Sequence, residues 1–310
     1  MATLLLAQGS LLETLHEPRR GSAVVRVFQT SAEMTASAWS RFMFGLKEWR
    51  RRRIASRPFP AEWMKYLNEL PVYHRLNAAD QAELRRHIAI FVAEKTFEGC
   101  AGLVVDDRMR IIIAAHSCML LLHRETDYYP NCTTILVYPA EYIATGKAIG
   151  PGGVVVETAG VRAGESWHNA FGSQSGGPLV LSWRSVQRGA HCPDDGHNVV
   201  FHEFAHQLDG ESGAMDGAPL LERHSNYLAW ARVLGAEFEK LHASMRQGIP
   251  TLINPYGATN PAEFFAVCTE LFFERPAEMK AMHPELYGQL QDFYKQDPSK
   301  WMPLAREQCA

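Results

Sequence analysis

Residues 198–209, Asn-Val-Val-Phe-His-Glu-Phe-Ala-His-Gln-Leu-Asp, form the stretch that most constrains the fold of this chain. Apolar residues recur in it at helical spacing, and no proline or glycine interrupts it, so the stretch predicts a buried helix that stops at Gly210. His202 and His206 are four residues apart and therefore lie on one face of that helix, one turn from each other. The fold must accommodate two imidazoles on a largely apolar helix, with Glu203 beside the first.

Two imidazoles at this separation can reach one tetrahedral zinc ion, and Glu203 then lies where it can take a proton from a metal-bound water. This is the HExxH pattern of zinc metallopeptidases. The bare pattern also arises by chance, in on the order of one per cent of chains of this length. The uninterrupted apolar context favours a metal site over a core helix that carries two incidental histidines.

A catalytic zinc needs a third protein ligand and an open fourth position. The short-spacing HExxHxxGxxH class is excluded, because position 212 is serine. Asp209 fits a hydrogen-bond partner of a ligand histidine better than a direct ligand. Glu263 and Glu270 lie seven residues apart on one predicted helix among phenylalanines, where a buried carboxylate calls for a cation. Glu263 also fits a capping box that Asn260 opens, so spacing alone leaves both glutamates open as ligands.

The composition is that of an ordinary globular protein, with 310 residues, 46% of them hydrophobic and 21% charged. The net charge of −3 gives no general case for nucleic-acid or membrane binding. Residues 1–60 do carry ten Lys and Arg against four Glu, with four arginines at 50–53. We interpret this run as a solvated helix end, because no aromatic residues are interleaved with it.

The cysteine pattern and the N-terminus bear on the cellular compartment. Six cysteines show no CxxC spacing and have largely apolar neighbours, which is typical of free thiols in a reducing compartment. The apolar run at the N-terminus lacks a positive region before it, and no stretch approaches the roughly 18 apolar residues of a membrane span. We therefore expect a cytoplasmic protein without a membrane span.

Composition and periodicity divide the chain into three parts. We expect residues 1–57 to form a poorly ordered extension and a basic helix, because periodicity is weak at first and prolines 58 and 60 end the helical pattern. Residues 58–298 should form one domain, and residues 299–310 a C-terminal tail.

Within that domain the pattern changes from helices to strands and back. An apolar run at 111–122 predicts a buried helix, and a long amphipathic helix is expected from Leu220 to Met245. A Gly/Ser-rich loop at 172–177 fits a hairpin or mobile flap. Three strand candidates precede the HExxH helix, at 133–138, 153–158 and 177–183. This order predicts an α+β fold, in which a small mixed or antiparallel sheet packs on the HExxH helix and a helical C-terminal half closes the cleft.

Several separated motifs together resemble the Mlc titration factor A family of bacterial zinc metallopeptidases, which is also similar to the catalytic domain of anthrax lethal factor. The resemblance covers approximately residues 60–298. It rests on the residues at 202–209, 135–139, 164–167 and 254–267. It implies a zincin-type fold with one Zn2+ ion per chain, and hydrolysis of peptide bonds.

The same resemblance bears on the choice of ligands. In that family a tyrosine lies seven residues before the ligand glutamate, and Tyr256 with Glu263 reproduces this spacing. The resemblance therefore implies Glu263 as the third ligand and Tyr256 as a catalytic residue. Some relatives carry a histidine near positions 156 and 157 that approaches the metal, so a fourth contact from Glu157 stays open, as does one from Asp209.

The resulting hypothesis is a zinc metallopeptidase. His202, His206 and Glu263 hold the metal, Glu203 acts as the general base, and Tyr256 donates a hydrogen bond to the developing oxyanion. From the resemblance, the expected substrates are short peptides cleaved near their N-terminus, as by an aminopeptidase.

A binding function is the rival hypothesis. The resemblance also implies contact with Mlc, a transcriptional repressor of sugar uptake, and a zincin scaffold can bind a regulator through its surface while the metal serves structure alone. The presence of Glu203 and Tyr256 argues against a purely structural zinc, which needs neither and usually has Cys or His in its fourth position. The two functions do not exclude each other.

Overall fold

The structure is a computed structural model of the 310-residue chain. It describes residues 45–149, 155–162, 164–166 and 177–301, and of residues 142–149, 155–162 and 165–166 it describes the backbone only. The chain divides into two compact units, residues 1–53 and residues 54–310. Most of the expected extension, the Gly/Ser-rich loop and most of the expected tail lie outside the described residues, so the predicted domain boundaries stay predictions.

The described residues are mostly helical, and a small set of strands lies between the N-terminal and C-terminal helices. The helices are α1 over residues 45–55, α2 Ala61–Leu67, α3 Pro71–Arg75, α4 Ala78–Glu94, α5 Asp107–Met119, α6 Trp183–His191, α7 Val199–Asp209, α8 Asn226–Arg246, α9 Pro261–Glu274, α10 Pro276–Met282 and α11 Pro284–Tyr294. The strands are β1 Thr96–Gly99, β2 Thr134–Tyr138, β3 Tyr142–Ile149, β4 Val155–Arg162, β5 Gly164–Ser166 and β6 Leu179–Ser182. The predicted α+β class is confirmed.

The main sheet is mixed and has the strand order β1-β2-β6-β5. β1 and β6 both pair with β2 in parallel, whereas β5 pairs antiparallel with β6. Every residue of β6 is buried, as expected of a central strand covered on both faces. β3 and β4 form a separate antiparallel hairpin.

Two helix predictions have different outcomes. The buried helix expected at 111–122 is confirmed as α5, which begins earlier, at Asp107, and ends earlier, at Met119. The helix expected from Leu220 instead begins at Asn226. Tyr227 holds the segment before it as a turn: its hydroxyl accepts the backbone N–H of Leu221 at 3.0 Å and donates to the carbonyl of Pro219 at 3.2 Å.

The HExxH stretch forms α7, which begins after an asparagine cap and packs against α9. The side-chain oxygen of Asn198 accepts hydrogen bonds from the backbone N–H groups of Val200 and Phe201, at 3.1 and 3.2 Å. Phe201 then stacks on Phe273 of α9, with ring centroids 5.0 Å apart. The cap fixes where α7 starts, and the aromatic contacts fix its rotation against α9.

Helix α9 is buried on nearly every side, as its run of phenylalanines predicts. Its first turn is set by Asn260, whose side chain accepts the backbone N–H of Glu263 at 2.9 Å, with Pro261 at the first helical position. The predicted cap is confirmed. It holds the backbone of Glu263 at the exposed end of an otherwise buried helix.

The turn around Gly217 ties the end of α7 to the start of α9. Its N–H donates to the Asp209 carboxylate at 2.9 Å, and its carbonyl accepts the indole N–H of Trp230 at 2.9 Å. Gly217 has a φ of +77°, and a Cβ there would lie 2.4 Å from the carbonyl oxygen of Pro261. Only glycine fits this conformation and this close approach.

We expect Gly217→Ala to destabilise the protein much more than Gly213→Ala. Both residues have a positive φ, but a Cβ at Gly213 meets nothing within 4 Å. The backbone strain common to both variants costs about 1 kcal/mol, and the clash with Pro261 should raise the loss at Gly217 to roughly 3 kcal/mol or more. Urea unfolding measures both values, and equal losses would contradict this account of the turn.

Candidate metal centre

The structure brings His202, His206 and Glu263 together at one point between α7 and α9. One carboxylate oxygen of Glu263 lies 3.0 Å from Nε2 of His202 and 3.4 Å from Nε2 of His206. Ligand atoms bound at 2.0–2.2 Å in a tetrahedral arrangement are roughly 3.4 Å from one another. The two nitrogens and the oxygen therefore have the spacing and the chemistry of a three-ligand zinc site.

The electrostatics of this group follow from the burial of opposite charges. Burial alone raises the pKa of Glu263, but the hydrogen bonds with His202 and His206 outweigh it and bring that pKa well below its usual value. Burial alone lowers the pKa of His202, but the carboxylates of Glu270 and Glu263 outweigh it and raise that pKa well above its usual value. The site thus strongly favours positive charge at its centre.

Glu203 lies beside this group and is only 5% exposed. Its pKa is raised mainly by burial, and the nearby imidazoles of His202 and His206 partly offset the effect. Its Oε2 atom has no hydrogen-bond partner among the described residues. A Cβ at Gly164, the first residue of β5, would lie 2.6 Å from the other carboxylate oxygen. Because Gly164 has no side chain, it leaves the space that the Glu203 carboxylate occupies.

Glu270 contacts the far side of His202. Its Oε1 lies 2.7 Å from Nδ1 of His202, while its Oε2 accepts the backbone N–H of Asn198 at 2.6 Å. The sequence suggested Glu270 as a possible metal ligand, but in the structure the imidazole ring of His202 lies between Glu270 and Glu263. The signal was its position two helical turns after Glu263, on the same face of α9.

Asp209 does not have the role that the sequence suggested for it. Its Oδ2 accepts the N–H of Gly217 at 2.9 Å, and its Oδ1 has no partner among the described residues. Nδ1 of His206 likewise has none there. Burial raises the pKa of Asp209 to about 6. The expected hydrogen bond between Asp209 and a ligand histidine is therefore wrong, because the Gly217 turn draws this carboxylate to the backbone.

Tyr256 lies at the mouth of the site, on a short 3-10 helix over Pro255–Thr259. The side chain of Asn254 accepts its backbone N–H at 2.9 Å and so fixes the start of this helix. The Tyr256 side chain is 48% exposed, and its ring centroid is 6.0 Å from that of His202. The structure thus brings the predicted tyrosine to the metal group from the solvent side.

These residues line a cleft of about 750 Å³. Glu203, Tyr256 and the three candidate ligands all border it, together with Arg188, His197 and Met215. Glu157 lies on β4, where only the backbone is described, so a fourth contact from it stays a prediction.

Among the described residues, no helix is long and apolar enough to cross a membrane.

A second group of metal-capable side chains lies on the surface at the start of α4. The ring nitrogens of His123 lie 3.1 Å from Asp80 and 3.3 Å from Glu83, and His87 also contacts Glu83, at 3.3 Å. The hydrogen bond with His87, more than any other contact, lowers the pKa of Glu83 to about 2. The group lies outside the cleft, and partly exposed acidic clusters are common without a metal, so we interpret it as a hydrogen-bond network that fastens α4 to the turn after α5.

The chain is similar to known proteins over most of its length. Residues 46–295 match a family model described as glucose-regulated metallo-peptidase M90. The chain is thus a protein of the metallopeptidase class, for which a metal ion, typically zinc, is implied. It belongs to the M90 peptidase family.

Individual relatives extend this similarity. An uncharacterised protein of Synechocystis, slr2042, is 41% identical over 252 residues, which are 81% of this chain and 90% of that protein. Mlc titration factor A of Klebsiella pneumoniae is 30% identical over 239 residues, 74% of this chain and 84% of that protein. The Salmonella gallinarum protein of the same name is 29% identical over 241 residues, again 74% and 84%. The resemblance to the Mlc titration factor A family is confirmed.

We expect the purified protein to contain about one zinc ion per chain, and Glu263→Ala to lose most of it, because two imidazoles alone leave the tetrahedral site half empty. Glu83→Ala, in the surface group, should keep the wild-type zinc content. Elemental analysis after dialysis against a weak chelator measures all three proteins. Zinc that is retained in Glu263→Ala but lost in Glu83→Ala would move the metal to the surface group.

Proposed function

We propose that this chain is a zinc-dependent peptidase of the zincin type, in which His202, His206 and Glu263 hold one Zn2+ ion. The observation that carries this proposal is the convergence of two imidazole Nε2 atoms on one Glu263 oxygen, at 3.0 and 3.4 Å, beside the buried Glu203. A purely structural zinc needs no buried carboxylate next to its ligands. Glu203 therefore favours a catalytic site.

When bound, zinc supplies a Lewis acid that polarises the substrate carbonyl and acidifies a water molecule. Glu203 accepts the proton of the attacking water, which its buried and unoccupied Oε2 allows, and delivers this proton to the leaving amine as the C–N bond breaks. Tyr256 donates its hydroxyl hydrogen bond to the carbonyl oxygen as negative charge develops there. Its position at the solvent side of the cleft suits a group that meets the substrate on entry.

The substrates we propose are short peptides that are cleaved near their N-terminus. The family resemblance supports this class, and a cleft of about 750 Å³ matches a few amino-acid residues rather than a folded protein. β5 ends the described part of the sheet and lies against Glu203, so a peptide backbone can pair along its edge.

A regulator-binding role is the second candidate function. Its support is the name of the relatives from Klebsiella and Salmonella, Mlc titration factor A. We propose that this chain also contacts a transcriptional repressor of the Mlc type. Binding of this kind needs neither Glu203 nor an open metal position, so the two functions separate in a Glu203 variant.

We expect Glu203→Gln to keep its zinc and to lose peptidase activity by about 100-fold or more, the usual effect of removing a general base. Fluorogenic aminoacyl and short-peptide substrates measure the activity, and elemental analysis measures the zinc. Full activity in the zinc-loaded variant would refute the catalytic role. Undiminished repressor binding by an inactive variant would show that the two functions are independent.

Gly164→Ala tests whether β5 positions the general base. The new Cβ would lie 2.6 Å from Oε1 of Glu203 and 2.8 Å from Cγ2 of Val199, so the Glu203 carboxylate would have to move, whereas none of the three candidate metal ligands is among the atoms that the Cβ meets. We expect normal zinc content and a fall in kcat of about tenfold or more, because misplacing a catalytic group by about 1 Å can cost on the order of 100-fold. Gly235→Ala, where a Cβ meets nothing within 4 Å, is the matched control and should have unchanged kcat.

A further inference from the structure

We propose that Glu270 is the positioning residue of the metal centre, which orients His202 and thereby sets the affinity for the metal. The proposal rests on the proposed zinc site and deepens it. Glu270 is 6% exposed and does not contact the candidate metal position itself. It acts through the imidazole of His202.

The contact between Glu270 and His202 fixes the tautomer of the ring. Nδ1 lies 2.7 Å from Oε1 of Glu270, and an ionised carboxylate accepts hydrogen bonds only, so Nδ1 must carry a proton. When a metal binds, Nδ1 would keep the proton that it donates to Glu270, and Nε2, which lies 3.0 Å from Glu263, would give up its proton and offer its lone pair to the ion. A carboxylate in this position also raises the basicity of the ligand and stops the ring from rotating.

The other oxygen of Glu270 holds the helix that carries the ligand. Oε2 accepts the backbone N–H of Asn198 at 2.6 Å, and Asn198 is the residue that caps α7. One turn further along α9, Glu274 accepts the backbone N–H of Gly196 at 2.9 Å. The carboxylates of α9 thus fix the segment that leads into α7, as well as the histidine one turn inside it.

The two histidines are supported unequally. His202 lies between two carboxylates of one helix, whereas Nδ1 of His206 has no hydrogen-bond partner among the described residues. Removal of Glu270 therefore takes the orienting contact from one of the two imidazoles and leaves the other unchanged. The expected defect is weaker binding, and the three ligand atoms remain present.

Glu270→Gln is the sharpest variant, because it keeps the shape of the side chain. Its amide has one acceptor oxygen, which can serve His202 or Asn198 but not both, and its N–H₂ group faces a donor at the other position. We expect zinc affinity to fall about 10-fold to 100-fold, the usual effect of losing such a partner. Competition with a chromophoric chelator measures the affinity of the full chain, and the visible spectrum of the Co2+-loaded protein reports the ligand geometry.

Glu237→Gln is the matched control. Glu237 contacts Nδ1 of His283 at 2.6 Å and is partly buried, with 18% of its side chain exposed against 8% for Glu270, but neither Glu237 nor His283 borders the cleft. This variant loses the same kind of hydrogen bond and should keep wild-type zinc affinity. If Glu270→Gln fails to fold, Glu270→Asp replaces it: the charge remains, the reach is shorter by one methylene, and weaker zinc binding is again expected.

The outcomes separate this proposal from the proposed function. Wild-type protein that binds no zinc would overturn both. Zinc binding in the wild type with unchanged affinity in Glu270→Gln would overturn only the positioning role. A loss as complete as that in Glu263→Ala, with a Co2+ spectrum that shows one ligand fewer, would make Glu270 a ligand and overturn the role as well. An intermediate loss with an unchanged ligand count supports it.

Discussion

The contact between α7 and α9 is the constraint on which the rest of this structure depends. Each helix carries ionisable groups into the interior, and neither can bury them alone without a large desolvation cost. Paired, the imidazoles of His202 and His206 face the carboxylate of Glu263, and the stacking of Phe201 on Phe273 holds the two helices together. The caps at Asn198 and Asn260 fix where each helix starts, so that these side chains meet.

This arrangement concentrates negative charge in a small volume. Three carboxylates, those of Glu203, Glu263 and Glu270, are largely shielded from solvent beside the two imidazoles, and the buried carboxylate of Glu274 follows one turn beyond Glu270. Burial raises the pKa of Glu203 and raises that of Glu274 well above its usual value, which shows that the cluster favours protons or a cation. A divalent ion at the proposed three-ligand position would satisfy the same electrostatic demand, and its binding energy would then contribute to the stability of the fold.

The local features of this fold follow from the sequence, whereas the long-range pairings do not. The extent of α7 and the cap at Asn260 are set by neighbouring residues, so periodicity and capping rules predict them. The pairing of His202 with Glu270 joins residues 68 apart in the chain, and no local rule specifies it. The start of α8 and the role of Asp209 depend on shorter contacts, to the Tyr227 hydroxyl and the Gly217 turn, that periodicity and capping rules do not describe. The sequence could place a carboxylate such as that of Glu270 on one face of a helix, but it could not identify the hydrogen-bond partner of that carboxylate.

Helix geometry distinguishes Glu263 from Glu270, although position on the helix face does not. Seven residues of α-helix rise about 10.5 Å, whereas all ligands of one zinc ion lie within about 2.2 Å of it. Two carboxylates at this spacing are poorly placed to share an ion. A single imidazole can bridge them, because its two nitrogens lie on opposite edges of the ring, and His202 does so at 3.0 and 2.7 Å. The seven-residue spacing did not choose between the two glutamates as ligands. With His202 between them, it is consistent with the two proposed roles, Glu263 as a metal ligand and Glu270 as the residue that orients His202.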